Sequence, residues 1–385
     1  MPAIRHIVYE CVPGAYAGGV QKMVFELASA QRRLGADVEI WTPDAIRAGS
    51  TEDFEGLPIR YFMPNRALGL AQSSRLERAI AELPPASVLH AHSTYHPLNL
   101  QVGRAARRCG HRAFYHPHGA LSPIWLRGWG WKALKKRLYI AAFERPNLNA
   151  AAGTFALTED ERRDLTALGV TAPTHVVPNG IVPVVIGDAS AARAFHRKHS
   201  IPEGARVILF VGRIVALKRV EDIAEVLARL RLSHPDLHLV IAGDLGTEPA
   251  YVARLREQFA ASGIADRVHW VGFLDELAKP AAYAAAQVFV HASESEGMAI
   301  AILEAMAAGV PVVVTRQCHM SAAAEAGALK QCEQGESALA AAIAEGLDAP
   351  ADRGARGQAY VHRVHAWEAI AAETLKIYAE GATRV

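Results

Sequence analysis

Residues 206–244 read RVILFVGRIVALKRVEDIAEVLARLRLSHPDLHLVIAGD, and their pattern decides the fold. Two apolar runs, VILFV and LVIA, flank the segment VEDIAEVLARL, which has apolar residues at i, i+3 and i+4. Short apolar runs are typical of buried strands, and the spacing of apolar residues in the segment between them is typical of an amphipathic helix. The stretch therefore predicts a βαβ unit with two parallel strands.

The same alternation continues on both sides of this unit. Strand-like segments before it are RHIVYE, DVEIWT, IRYFM, SVLHAH and RAFYHPH, and those after it are RVHWVGF, QVFVHAS and PVVVTR. The first helix, GGVQKMVFELASAQRRLG, is expected to end at Gly35, because glycine commonly follows the last helical residue. The whole chain is thus predicted to be α/β, with parallel sheets covered by helices.

Two domains are expected from the length. The chain has 385 residues, and a single hydrophobic core usually stops growing at about 250–300. A segment at 182–206 that mixes proline, glycine and charge separates the two runs of strands. We predict two doubly wound, Rossmann-like domains, at residues 1–185 and 190–365, followed by an amphipathic helix at about 366–385.

Composition excludes several classes. Lys plus Arg (41) nearly equals Asp plus Glu (39), so no global charge favours nucleic acid as a partner. The four cysteines, Cys11, Cys109, Cys318 and Cys332, lack metal-site or disulfide spacing and are predicted to be reduced thiols in the cytoplasm. The N-terminus does not resemble a signal peptide, and no long apolar run predicts a membrane span. Peripheral contact with the inner face of the cytoplasmic membrane remains an alternative.

Ligands of open α/β sheets bind beyond the carboxyl ends of the strands, so the residues after each strand are the candidates. Gly18 and Gly19 follow the first strand and begin a helix whose free N–H groups suit an anion. Arg213 and Lys218 follow VILFV and could converge on a diphosphate, although taken alone such residues are more often ordinary surface cations.

Glu296 and Glu304 follow QVFVHAS in the stretch ESEGMAIAILEAMAAGVP. We expect a helix to start near Gly297, so that its first N–H groups can bind phosphate. Because the glutamates lie about two turns apart, they suit two acceptors for hydroxyls of one elongated ligand. A carboxylate among apolar residues needs hydrogen-bond donors, and ligand hydroxyls would supply them. The simpler alternative is a solvated helix face.

The pattern Glu, seven residues, Glu, followed by AMAAGVPVV, resembles the signature of the retaining glycosyltransferases of family 4, which have the two-domain GT-B fold. Further stretches resemble the family in the same order: GGVQKMVFELASAQRRLGADVEIWT, HPHGAL, VVPNGI, VGRIVALK and the closing AWEAIAAETLKIY. The resemblance covers nearly the whole chain. It implies two domains that face a central cleft, with the last helix returning to the N-terminal domain.

The resemblance also implies individual roles. Catalytic residues would be His118, Glu296, Arg213 and Lys218. Donor-binding residues would be Gly18, Gly19, Arg213, Lys218, Phe273, Glu296, Gly297, Met298, Ala299, Ile300 and Glu304. Among them, Glu304 would bind ribose, Glu296 the sugar hydroxyls, Arg213 and Lys218 the diphosphate, and Phe273 the base. The family often has Phe-Gly where this chain has Met298 and Ala299.

The implied reaction is transfer of a hexose-type sugar from a UDP- or GDP-sugar, with retention of configuration, by front-face displacement. No metal or other cofactor is expected, because two cations and helix N-termini can stabilise the leaving diphosphate and no Asp-x-Asp pair follows a strand. The acceptor would be a glycan or lipid-linked glycan in surface polysaccharide biosynthesis. Alternatives are a phosphorylase or sugar-phosphate synthase on the same fold, or a non-catalytic nucleotide-sugar-binding protein. A dehydrogenase is disfavoured, because GGVQKM lacks the G-x-G-x-x-G pattern.

Two further groups have competing interpretations. His90 and His92 are expected on one side of a strand, as are His116 and His118, which allows a metal site or polar residues at the crevice edge. The segment WLRGWGWKALKKR combines aromatic and basic residues, which favours either an anionic membrane with a polyprenyl-diphosphate-linked acceptor or an ordinary exposed helix. Its candidate residues are Trp125, Trp129, Trp131, Lys132, Lys135 and Lys136.

Overall fold

The computed structural model describes residues 2–11, 19–65, 72–126, 130–182, 186–348 and 351–380. The chain forms two compact units, Met1–Gly180 with His365–Val385, and Ile181–Val364. The division at Gly180 lies before the predicted limits of 185 and 190. It falls there because β8, a short strand that sequence patterning missed, completes the first sheet just before it.

The first unit contains an eight-stranded sheet in the order β3-β4-β2-β1-β5-β6-β7-β8. Its strands are β1 (Ile4–Ile7), β2 (Val38–Pro43), β3 (Thr51–Phe54), β4 (Leu57–Phe62), β5 (Val88–His92), β6 (Arg112–His116), β7 (Gly153–Ala156) and β8 (Thr174–Val176). All neighbours pair in parallel except β3 and β4, which are antiparallel. The prediction of a parallel sheet is therefore confirmed apart from this edge hairpin.

Helices cover this sheet, and the last helix of the chain joins them. They are α1 (Gly19–Arg33), α2 (Ser74–Ala81), α3 (Pro97–Cys109), α4 (Trp131–Tyr139), α5 (Arg145–Asn149), α6 (Glu159–Ala167) and α15 (Trp367–Glu380). Gly35 follows α1 with φ 83°, a left-handed conformation that favours glycine. Apolar side chains of α15 pack with those of α1 in one core cluster, so the predicted return of the C-terminal helix to this unit is confirmed.

The second unit contains a six-stranded sheet in the order β11-β10-β9-β12-β13-β14, with parallel pairing throughout the described strands. Its strands are β9 (Arg206–Val211), β10 (Leu237–Ala242), β11 (Val268–Gly272), β12 (Val288–His291), β13 (Val312–Thr315) and β14 (Lys330–Cys332). Its helices are α7 (Ala189–Lys198), α8 (Val220–Leu230), α9 (Pro249–Ala261), α10 (Lys279–Ala285), α11 (Ile300–Ala307), α12 (Ser321–Glu325), α13 (Glu336–Leu347) and α14 (Ala351–Val364).

The strand order places a topological switch point in the second sheet. The chain runs outward from β9 through β10 to β11, then returns to β12 on the other side of β9. Loops after β9 and β12 therefore diverge to opposite faces at the carboxyl end of the sheet, where ligands of such sheets bind. Gly243, after β10, allows this loop packing, because a Cβ there would lie 1.9 Å from the Gly212 carbonyl oxygen.

Candidate active site

The loop after β9 carries the two predicted diphosphate cations in different environments. Arg213 is exposed and forms no ion pair with the described residues. Lys218 ends a short 3₁₀ turn, Ala216–Lys218, and its side chain is only 10% exposed. One cation is therefore available to a ligand directly, whereas the other is already engaged.

The partner of Lys218 is Glu296, in the loop after β12. Lys218 Nζ donates a hydrogen bond to Glu296 Oε1. The same oxygen accepts bonds from His291 Nε2 at 2.9 Å and from Ser293 Oγ at 2.7 Å. The other oxygen, Oε2, accepts no hydrogen bond from the part of the chain that the structure describes. Three donors thus hold one carboxylate oxygen and leave the other for a ligand.

Electrostatics keep this carboxylate ionised. Burial alone would raise the pKa of Glu296, but the charge of Lys218 and the bond from His291 outweigh burial and hold that pKa far below its usual range. Burial lowers the pKa of His291, with Glu296 acting in the opposite direction. Sequence analysis missed His291 and Ser293, although HAS directly precedes the glutamate stretch.

Glu304 lies in α11 and belongs to a separate hydrogen-bonded group. It is 4% exposed, so the interpretation as a solvated helix face is wrong. Its Oε1 accepts from Lys279 Nζ at 2.9 Å and its Oε2 from the Tyr283 hydroxyl at 2.9 Å. The expectation that ligand hydroxyls must supply the donors is therefore also wrong, because α10 supplies two of them. Burial would lower the pKa of Lys279, but Glu304 outweighs it and raises that pKa.

The helix that follows Glu296 begins later than predicted. α11 starts at Ile300, and Ala299 at its N-cap is extended, with φ −70° and ψ 124°. Gly297, Met298 and Ala299 therefore form a loop rather than the first helical turn. The Glu296 N–H donates to the Gln317 carbonyl at 3.1 Å, which ties the start of this loop to the segment after β13.

Phe273 directly follows β11. Gly272 is left-handed, with φ 74°, and turns the chain out of the sheet. The Phe273 side chain that follows is 76% exposed, which is unusual for a large aromatic residue. It is free to stack on a flat ring.

In the first unit, Gly19 is the exposed first residue of α1, and Gly18 lies outside the described residues.

His118 was predicted to continue a strand beside His116. Instead, β6 ends at His116, and His118 has φ 56° in the loop beyond it. Positive φ at a non-glycine residue costs about 1–3 kcal/mol and is concentrated at functional sites.

Glu161 of α6 holds the His118 loop in place. Its Oε1 accepts from the Gly119 N–H at 2.6 Å, and its Oε2 from the Leu157 N–H at 2.7 Å. Glu161 is 3% exposed, and burial raises its pKa to about 7. Sequence patterning could not identify this anchor, because an acidic residue in a first helical turn is also an ordinary N-terminal feature.

Five histidines lie together at the carboxyl ends of β1, β5 and β6. This histidine cluster consists of His6, His90, His92, His116 and His118. His90 and His92 are 0% and 1% exposed, so they do not lie at a crevice edge as one prediction had it. His6 Nδ1 faces His92 Nε2 at 2.9 Å, and His92 Nδ1 faces His118 Nε2 at 3.0 Å.

The aromatic and basic segment forms α4, preceded by a 3₁₀ turn at Pro123–Leu126. Trp131, Leu134 and Leu138 are 64%, 42% and 57% exposed and share one face of α4. The Lys135 ammonium lies 5.2 Å from the Trp131 ring centroid, and that of Lys136 lies 5.8 Å from the Tyr95 ring. Trp129 and the side chains of Trp125 and Lys132 lie outside the described part of the structure. Within the described residues, no helix is long and apolar enough to span a membrane.

Known families match both units. Residues 18–180 match the family described as glycosyl transferase 4-like domain, and residues 192–359 match the glycosyl transferases group 1. The chain belongs to glycosyltransferase family 4. Because one match lies in each unit, both units of the glycosyltransferase carry the family pattern. The protein is therefore an enzyme, and the alternative of a non-catalytic binding protein is not supported.

Curated relatives align over nearly the full glycosyltransferase. The D-inositol 3-phosphate glycosyltransferase of Streptosporangium roseum is 27% identical, with 92% of this chain and 83% of the relative aligned. That of Kineococcus radiotolerans is also 27% identical, with 94% and 90% aligned. Identity at this level supports sugar transfer without specifying donor or acceptor.

Solved structures share the fold. Sucrose-phosphate synthase from Thermosynechococcus elongatus matches with a TM-score of 0.78 and 20% identity over 100% of both chains. Anabaena HepE, crystallised with UDP and glucose, matches with a TM-score of 0.77 and 19% identity over 97% of this chain and 99% of its own. The expected GT-B fold class of this glycosyltransferase is confirmed.

Proposed function

We propose that this glycosyltransferase transfers a hexose-type sugar from a nucleotide-sugar, with retention and without a metal. The observation that carries the proposal is the carboxylate of Glu296, buried and ionised, with one oxygen held by three protein donors and the other open. A fixed acceptor of this kind suits a sugar hydroxyl. The UDP and glucose named for HepE support a UDP-sugar as donor, with a GDP-sugar as the alternative.

The remaining donor contacts follow from exposure and chemistry. Exposed Arg213 would bind the diphosphate by its forked guanidinium, and Lys218 would add a second positive charge. Exposed Phe273 would stack on the base. Glu304 would accept a ribose hydroxyl, and Gly19 would approach the diphosphate with its backbone. The loop N–H groups of Gly297, Met298, Ala299 and Ile300 would support the sugar and phosphate.

The proposed chemistry is a front-face displacement. The bond from the anomeric carbon to the diphosphate breaks while the acceptor oxygen bonds the same face, and the leaving phosphate takes the acceptor proton. Arg213, Lys218 and the loop N–H groups would stabilise the developing charge on the diphosphate. His118 would contact the donor sugar. Activity that survives chelation, with an unchanged anomeric configuration in the product, is the expected result.

A thermal-shift panel tests the donor assignment. UDP, GDP, ADP and their sugar conjugates are compared at equal concentration, because a ligand at 100 times its dissociation constant adds about 2.7 kcal/mol of stability. A selective shift that is lost in Glu304→Ala and retained in Glu276→Ala, an exposed neighbour of Lys279, is expected. A shift that is unaffected by Glu304→Ala would contradict the proposed ribose contact.

We further propose that α4 docks on an anionic membrane and that the acceptor is a polyprenyl-diphosphate-linked or other lipid-linked glycan. Exposed Trp131, Leu134 and Leu138 beside Lys135 and Lys136 form the face that such a surface would take. Co-sedimentation with anionic vesicles is the test. Binding should be lost in Lys135→Glu/Lys136→Glu and kept in the control Lys376→Glu, an exposed lysine of α15. Equal binding by both variants would remove α4 from the membrane proposal.

A second candidate is transfer to a small phosphorylated acceptor, as in a sugar-phosphate synthase. The names of the relatives, D-inositol 3-phosphate glycosyltransferase and sucrose-phosphate synthase, favour it. A phosphorylase on the same fold would instead use inorganic phosphate. Product formation with a sugar or polyol phosphate, with inorganic phosphate, or only with a lipid-linked glycan distinguishes the three.

A further inference from the structure

A continuous chain of side-chain hydrogen bonds crosses the first unit and ends at His118. It begins on α15 and passes through α1, β1 and β5 to the loop after β6. Its members are Thr374, Gln31, His6, His92 and His118. The first four are at most 1% exposed, and only His118 is partly exposed. The chain thus connects the buried face of α15 to one partly exposed imidazole.

The direction of the hydrogen bonds is set at Thr374. Its Oγ1 lies 3.0 Å from the Ile370 carbonyl oxygen and 2.8 Å from that of Ala371. Carbonyl oxygens only accept, so the hydroxyl hydrogen must lie on that side, as is common for threonine within helices. Without it, oxygen lone pairs would face each other at 2.8 Å. Thr374 Oγ1 can therefore only accept from Gln31.

The orientation of Gln31 then fixes each ring in turn. Its Nε2 donates to Thr374 at 3.0 Å, so its Oε1 faces His6 Nε2 at 2.8 Å and must accept a hydrogen from it. A neutral imidazole carries one hydrogen, so His6 Nδ1 is an acceptor and His92 Nε2 donates to it. His92 Nδ1 is then an acceptor as well. The hydrogen between it and His118 belongs to His118 Nε2.

The rings are neutral, as this argument requires. Burial lowers the pKa of His6 to about 4 and that of His118 to about 3. Burial also lowers the pKa of His92 well below its usual value, with further lowering by the neighbouring histidines. No member is a cation at neutral pH, so the chain transmits a hydrogen-bond direction rather than a charge.

We propose that the chain from Thr374 holds His118 as its Nε2–H tautomer, which leaves Nδ1 as a permanent hydrogen-bond acceptor for a substrate hydroxyl. This rests on the proposed function only in its last step, the presence of a sugar hydroxyl opposite Nδ1. A neutral acceptor disfavours ionised phosphate and carboxylate oxygens, which carry no hydrogen to donate. It also makes His118 a hydrogen-bond acceptor that orients a substrate hydroxyl, and not a general acid. Gln31 and Thr374 are positioning residues that act through it.

A metal ion fits the histidine cluster less well. Nitrogen atoms of His6, His90 and His92 lie within 4.8 Å of one another, as do those of His92, His116 and His118. A common metal ion needs their lone pairs to converge. Instead, His6 and His92 point nitrogens at each other at 2.9 Å, and the rings of His116 and His118 stack at 3.9 Å between centroids. Neither arrangement directs two lone pairs to one point.

Nuclear magnetic resonance of the ligand-free full chain, with isotope-labelled imidazole nitrogens, tests the tautomer. Couplings from the ring protons tell a protonated nitrogen from a bare one. The expected spectrum has the hydrogen on Nε2 of His6, His92 and His118. Thr374→Val removes the oxygen that orients Gln31, and Gln31→Met removes the amide. Each should give His118 a population with hydrogen on Nδ1, whereas Thr374→Ser should match the wild type.

A wild-type His118 with hydrogen on Nδ1, or an unchanged tautomer in both Thr374→Val and Gln31→Met, would overturn the proposal. A zinc-induced spectral change at these rings would overturn it in favour of a metal site. Kinetics then test the last step. With the fold intact by circular dichroism, Gln31→Met should lower kcat/KM about tenfold, the value of one lost neutral hydrogen bond. If the tautomer changes and kcat/KM does not, the tautomer proposal stands and the contact between His118 and a substrate hydroxyl is refuted. If the wild type transfers no sugar, only the proposed function is refuted.

Discussion

Replacing Lys218 by methionine should destabilise the second unit strongly. The ammonium of Lys218 and the carboxylate of Glu296 are 10% and 11% exposed, so the variant leaves a charge with little access to water. Removing one partner of a buried ion pair costs about 3–5 kcal/mol, because the remaining charge is left uncompensated. Replacing both partners by neutral groups is far less costly, so Lys218→Met/Glu296→Gln should regain most of this loss.

The pH dependence of the same variant has a defined sign. In the wild type the pKa of Glu296 is lowered, so its contribution is complete above the unfolded value near 4.5 and is lost only as pH falls below it. Without Lys218, burial, the largest single influence on this pKa, is opposed by His291 alone, so we expect the pKa of Glu296 to rise above 4.5. The folded variant then binds a proton that the unfolded chain does not. Its free energy of unfolding should rise as pH is lowered from 7 toward 5.

Native-state hydrogen exchange of the β9 and β12 amides measures this free energy for the second unit alone. The matched control is Arg229→Met, which breaks an exposed pair with Glu336, where the side chains are 51% and 49% exposed. That change should cost less than about 1 kcal/mol. The reasoning is refuted if Lys218→Met costs no more than the control, or if it loses stability on acidification.

Three further predictions follow from burial and close contacts. The histidine cluster should make the protein acid-sensitive: burial lowers the pKa of every ring, so the unfolded chain binds more protons and the free energy of unfolding should fall as pH drops below 6.5. For His6, whose pKa burial lowers to about 4, this loss should approach about 1.4 kcal/mol per pH unit between pH 6.5 and 4. Glu144 and Glu161, whose pKa values burial raises to about 7, oppose this slope, and His116→Leu should reduce it in pH-dependent urea unfolding. Gly180→Ala should destabilise the first unit by about 1–3 kcal/mol, because the new Cβ would lie 2.3 Å from the ring of Trp367, the first residue of α15. Equal melting temperatures of the variant and the wild type would contradict that packing. Arg213→Ala should change the free energy of unfolding by less than about 0.5 kcal/mol. It should nevertheless weaken the thermal shift given by the nucleotide-sugar.

Strands with long apolar runs could be predicted from the sequence, whereas the short edge strands and the four-residue β7 (GTFA), although buried, could not. VILFV of β9 and VVV of β13 are continuous apolar runs, which parallel strands between helix layers require. β3 (TEDF) is mostly exposed and polar, so it carries no alternation that patterning could detect. β8 and β14 have three residues each. Their pairing depends on the neighbouring strand rather than on their own composition.

The sequence predicted which residues belong to the site but not which of them contact one another. Position after a strand identified Lys218 and Glu296, but not that they bond each other, because 78 residues separate them. His118 was placed on a strand because its neighbours alternate like one, whereas Glu161 binds the following backbone N–H and holds the loop away from β6. Contacts between distant segments are set by the sheet order, which the pattern does not contain.

Glu296 shows why burial of a carboxylate did not by itself indicate a ligand. A carboxylate offers about four lone-pair positions, and burial requires only that enough of them be filled to offset desolvation. Lys218, His291 and Ser293 meet this requirement at Oε1 alone. Since these donors also fix the orientation of the group, Oε2 is directed before any ligand arrives, and a ligand hydroxyl need not order the side chain on binding. The ion pair that stabilises the second unit therefore also prepares the acceptor, and the two roles should fail together in Lys218→Met.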